Sequence, residues 1–100
     1  MKAGQLLGLW GSKDHGQPWL ELLHDGRVLG HDGCNRLFGQ WVEAADVEFR
    51  ALGSTRMFCE GIDDWLSRAA IGKLHDDGSM AIFDREEKEL GILAKEGKNS

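Results

Sequence analysis

The sequence predicts an α+β domain that is mostly β, with about seven or eight short strands and one amphipathic α-helix. Three observations carry that class. Fourteen glycines against one proline call for many tight turns between short strands. Period-two alternation recurs in the first half, as where Val47 and Phe49 alternate with Asp46, Glu48 and Arg50. After Cys59 the apolar period lengthens to the i, i+3, i+4, i+7 spacing of a helix.

Leu6 to Gly11 reads as a short apolar strand centred on Trp10, followed by the polar loop "SKDHGQP". "WLELLHDGRVLGHDG" reads as strand, tight turn, strand, because Asp25-Gly26 supplies the positive φ that hairpin turns require. "CNRLFGQWVEA" gives the next strand, with Leu37, Gly39 and Trp41 on one face and Phe38, Gln40 and Val42 on the other. A turn at Ala44-Ala45-Asp46 leads into "DVEFR", a half-buried strand of an antiparallel sheet. The helix is expected on an apolar stripe of Ile62, Trp65, Leu66 and Ala69. Asp63 and Asp64 suit its positive dipole end, Asp64 and Arg68 form a pair four residues apart, and Gly72 is its stop. "SMAIFD" follows the turn Asp76-Asp77-Gly78, and "ELGILAK" follows the charged turn "DREEKE", a solvated connection. "LELLHDGRVLGHD" and "IGKLHDDGSMAIFD" share a turn ahead of an apolar strand, a likeness that turn chemistry accounts for. One domain is expected over 1–95, with a disordered tail at 96–100.

With 41% apolar and 29% charged residues in 100, the chain suits a single hydrophobic core. A net charge of −5 and arginines scattered singly at Arg27, Arg36, Arg50, Arg56 and Arg68 exclude a nucleic-acid footprint. No apolar run is long enough to span a bilayer. The N-terminal "MKAGQLLGLWGS" reads as a first strand rather than a secretory segment. The expected location is cytoplasmic; a secreted chain trimmed of its signal would read the same way.

The residues that could carry chemistry are the cysteines, histidines, glycines and tryptophans. Cys34, Cys59, His15, His24, His31 and His75 are potential metal ligands, yet only His31 and Cys34 lie close together and zinc spacings are missing. No metal and no cofactor are expected. Cys34 beside His31, or Cys59 ahead of the helix, would suit a thiol nucleophile, but no residue fixes a Cys–His hydrogen bond. The glycines of "GHDGCNRLFG" run from strand into strand, whereas a phosphate loop enters a helix, so they read as a corner or bulge. Trp10, Trp19, Trp41 and Trp65 are expected to face the core. With no acid, base and nucleophile set, no enzyme is expected. The redox state stays open. Bridged, Cys34 and Cys59 would close a loop of about 25 residues, worth on the order of 3–4 kcal/mol, and need Cα atoms about 4.4–6.8 Å apart. In a reducing cytosol they would be thiols.

Taken together, "GHDGCNRLFGQW", "LGSTRMFCEG" and "IDDWLSRA", in order between Leu6 and Ala94, resemble the META domain, the family of the bacterial heat-shock protein HslJ. The resemblance implies a strongly curved antiparallel sheet, a partial barrel, wrapped around the one α-helix as its plug. It implies structural roles for Gly30, Gly33, Gly39 and Thr55, and places Cys34 near Cys59 as a disulfide or thiol pair. It also makes Asn35, Arg36 and Arg56 candidate binding residues. The family is associated with heat shock and stress response, without an agreed reaction. Many members are secreted or lipid-anchored, and this chain has no lipobox cysteine. The leading expectation is therefore a non-enzymatic, stress-associated domain that binds a protein or small apolar partner, its oligomeric state open. The alternatives are a thiol redox switch or sensor using Cys34 and Cys59, and a small lipocalin-like barrel suggested by Gly8-Leu9-Trp10.

Overall fold

The computed structural model describes residues 6–14, 17–55, 59–61 and 65–95. Eight strands follow one another around one sheet in sequence order, each antiparallel to the next. They are β1 (Gly8–Gly11), β2 (Trp19–Leu22), β3 (Arg27–His31), β4 (Arg36–Glu43), β5 (Val47–Ser54), β6 (Ile71–Leu74), β7 (Met80–Phe83) and β8 (Glu89–Leu93). The turns follow the sequence's chemistry, with Gly26 at φ 91° and Gly78 at φ 92°. The sheet curls until β8 nearly meets β1, through one antiparallel bridge between Trp10 and Lys95.

Period two sends one face of each strand inward. Trp10, Leu20, Leu22, Val28, Leu37, Trp41, Val47, Phe49, Met80, Ile82 and Leu93 form one contiguous core. The buried indoles are satisfied: Trp10 Nε1 donates to the Leu6 carbonyl at 3.0 Å and Trp41 Nε1 to the Leu23 carbonyl at 2.9 Å. Trp19 departs from the expectation that every tryptophan faces the core. Leu20 and Leu22 take the inward positions of β2, so Trp19 is half-buried on the outer face.

The expected helical plug is a correction. None of the elements in the described residues is an α-helix, and the fold is a nearly closed all-β barrel rather than an α+β sheet wrapped around a helix. Trp65–Arg68 forms a single 3₁₀ turn, closed by the Ala69 amide on the Leu66 carbonyl at 3.1 Å. Ile62, Asp63 and Asp64 lie outside the described residues. An eight-strand barrel has an interior just wide enough for side chains, whereas a helix with its side chains is about 10–12 Å across. Strand side chains already fill this one. A single turn satisfies the apolar spacing, since Leu66 and Ala69, three apart, are both buried. Trp65 packs on Gly91 of β8. Gly72, expected to stop the helix, instead lies in β6 against Met80.

One bulge bends the wall. Phe38 pairs with Gly53 and Gln40 with Arg50, so Gly39 faces both Ala51 and Leu52. Ala51 adopts φ 55°, and a Cβ on Gly39 would lie 2.9 Å from the Leu52 Cα. Only glycine fits that approach.

At the seam, the Gly11 amide donates to the Ala94 carbonyl at 2.7 Å. The Lys95 ammonium donates to the Leu7 carbonyl and sits 4.7 Å from the Trp10 ring centroid. Burial lowers the Lys95 pKa from its ordinary 10.5. Lys95→Met keeps the stem and removes both contacts. Urea denaturation should register a loss of about 1–2 kcal/mol, and the Gly11 amide should exchange its hydrogen faster than the amides of β4.

Candidate functional site

The turn between β3 and β4 is built around Asp32. Its Oδ1 accepts the amides of Cys34 at 2.9 Å and Asn35 at 2.6 Å, while the Asp32 amide donates to the Asn35 carbonyl at 3.0 Å. Asp side chains fold back on amides two and three residues ahead in this way. Gly33 completes the turn at φ 100°, a conformation that favours glycine. Its amide donates to His31 Nδ1 at 3.0 Å, which leaves Nε2 to carry the proton of the neutral ring. Asp32 is 1% exposed, and its Oδ2 has no hydrogen-bond partner among the described residues.

The second motif docks on the first at the end of β5. Thr55 Oγ1 accepts the Arg36 amide at 3.0 Å and donates to Asn35 Oδ1 at 3.1 Å, and the Thr55 amide donates to the Arg36 carbonyl at 3.1 Å. Cys34 and Cys59 are joined as a disulfide with Cα atoms 5.8 Å apart. Two segments some twenty residues apart in sequence are therefore clamped by one covalent bond and three hydrogen bonds.

Beside the clamp lies a cleft of about 370 Å³, lined by Lys13, Asp14, Gln17, Trp19, His31, Gly33, Cys34 and Cys59. Lys13 Nζ stands 4.6 Å from the Trp19 ring centroid. On the neighbouring outward row, Leu29 of β3 and Phe38 of β4 are direct cross-strand partners and remain 39% and 49% exposed. The Phe38 ring lies over Gly53.

The structure thus brings together Cys34, Asn35, Thr55 and Cys59. Gly30 lies on β3, pressed against the Trp19 carbonyl, and Gly39 lies at the bulge. Arg36 is exposed across from His31. Arg56, expected as its counterpart, lies outside the described residues, as do His15 and the tail at 96–100. Among the described residues no three His, Cys, Asp or Glu side chains gather as metal ligands. Asp32, Lys13 and Trp19 are site residues that sequence reasoning missed. The cue for Asp32 is Asp-Gly placed just ahead of Cys34; no motif announces the Lys13–Trp19 contact.

Two variants test the clamp. Cys34→Ser/Cys59→Ser should lose about 3–4 kcal/mol in urea denaturation while keeping the β spectrum. Thr55→Val, which removes an acceptor and a donor at constant shape, should lose about 1 kcal/mol.

Comparison with curated proteins and with solved structures finds no significant match. The META domain family model matches residues 6–98. That span holds all eight strands, both cysteines and the Asn35–Thr55 contact, and the chain belongs to the META domain family.

Proposed function

We propose that this chain is a non-enzymatic, stress-associated META-domain module that binds a partner protein on the outer wall of its barrel. The observation that carries the reading is the contrast between inside and outside. Trp10, Leu20, Leu22, Val28, Leu37, Leu66, Met80 and Ile82 fill the interior at 0–2% exposure, whereas Leu29 and Phe38 stand side by side on the outer face. An up-and-down barrel of eight strands is the lipocalin-like arrangement, but a calyx needs interior volume that these side chains occupy. Recognition therefore moves outward, where an apolar pair in a polar rim suits a protein surface. The net charge of −5 disfavours nucleic acid. A cytoplasmic setting belongs to the same proposal, and the Cys34–Cys59 bridge constrains it, because reducing compartments open accessible disulfides.

The test uses Leu29→Thr/Phe38→Thr, both suited to strands. The double variant should keep its β spectrum and melt cooperatively, yet lose the proteins that the wild-type chain retains from heat-stressed cells. Retention of the same proteins by the folded variant would sink the outer-wall reading. Turnover of any substrate in a hydrolase panel by the purified chain would sink the non-enzymatic one.

A further inference from the structure

Cys34 and Cys59 stand in the outer wall of the barrel, and neither belongs to the contiguous core. The bridge forms part of the cleft wall beside Trp19, His31 and Gly33, which gives a second molecule's sulfur a route to it. Cys34 is 7% exposed and Cys59 is half-buried, so Cys59 is the more open end. Lys13 lines the same cleft; a nearby ammonium favours the thiolate form through which exchange proceeds.

One further feature separates the bridge from a purely structural staple. Opening it leaves the β3–β4 turn tied to the end of β5, because Thr55 still bonds Asn35 and both backbone groups of Arg36.

We propose that the Cys34–Cys59 bridge is a thiol–disulfide exchange site whose co-substrate is a protein or peptide dithiol. A thiolate of the dithiol attacks Cys59 Sγ. The Cys34–Cys59 bond breaks, a mixed disulfide to Cys59 forms, and Cys34 departs as a thiolate that takes a proton from solvent. The second thiolate of the co-substrate then attacks its own sulfur in the mixed disulfide. It forms the co-substrate's disulfide and releases Cys59, which is protonated in turn. Two electrons pass from the dithiol to this chain, and the reverse run reduces the co-substrate's disulfide while re-forming the Cys34–Cys59 bond. This activity is independent of what the Leu29–Phe38 face binds.

The experiment measures reduction of the full oxidised chain by dithiothreitol at neutral pH, followed by thiol count, in a series of urea concentrations below the unfolding transition. The expected rate is proportional to dithiothreitol and flat in urea, because attack needs no opening of the barrel. A log rate that climbs with urea at the slope of global unfolding would overturn the proposal, since the bridge would then be reachable only in the unfolded chain. A second measurement fixes the attacked sulfur. Oxidised chain quenched with acid during reaction with glutathione should carry the mixed disulfide on Cys59 by peptide mapping, and an adduct on Cys34 would overturn the assigned step.

Discussion

An eight-strand meander leaves two unpaired edges unless its first and last strands meet, and here they meet through one backbone bridge, Trp10 with Lys95. Strands of four to eight residues bury too little apart to stand alone, so every layer of the core depends on that seam. Side chains finish what the ladder leaves short. Trp10 fills the interior with its ring, anchors the Leu6 carbonyl with its indole N–H, and offers its face to the Lys95 ammonium. Lys95 in turn reaches the Leu7 carbonyl across the seam. The opposite side of the barrel is narrow as well, since β5 and β6 share only the pairs Val47–Gly72 and Glu48–Ile71. The 3₁₀ turn packs against both β5 and β8.

How much of this was legible follows from which residues had one reading and which had two. Val47 and Phe49 alternate cleanly with charged neighbours, so their strand and inward parity could be read directly. Asp25-Gly26 and Asp77-Gly78 demanded turns whatever surrounded them. The apolar spacing reads as a helix because Leu66 and Ala69, three residues apart, fit one 3₁₀ turn as well as one α-helical turn. Periodicity cannot count turns; the space left inside the barrel does. The parity of Trp19 is ambiguous because "WLELL" is apolar on both faces, and only pairing with β1 and β3 decides that Leu20 and Leu22 turn inward. β6 was hidden by Gly72 and Lys73, weak strand formers whose place is fixed by Met80 and Phe83 across the ladder.

The site was legible in its parts and not in its assembly. The two motifs named Cys34, Asn35, Thr55 and Cys59, and the family resemblance set the cysteines near each other. The hydrogen bonds of Thr55 and the orphaned oxygen of Asp32 depend on register and burial, which no spacing reveals. Lys13 and Trp19, six residues apart, meet as ammonium over indole ring, a contact that no motif marks.

The described side chains that turn into the barrel pack as one core, and family membership fixes this scaffold rather than a specific function. In this chain the wall has a definite layout. His31 and Leu29 alternate on β3, and Arg36 and Phe38 alternate on β4, all outward, with His31 opposite Arg36 and Leu29 opposite Phe38. The disulfide holds the turn that joins these two strands, and the exposed apolar pair lies two residues along the same hairpin. Clamp, cleft and apolar face are thus consecutive parts of one β3–β4 ribbon. The "GHDGCNRLFGQW" segment supplies its second strand and its turn, with Gly33 and Asp32 shaping the corner and Cys34 tying that corner to Cys59.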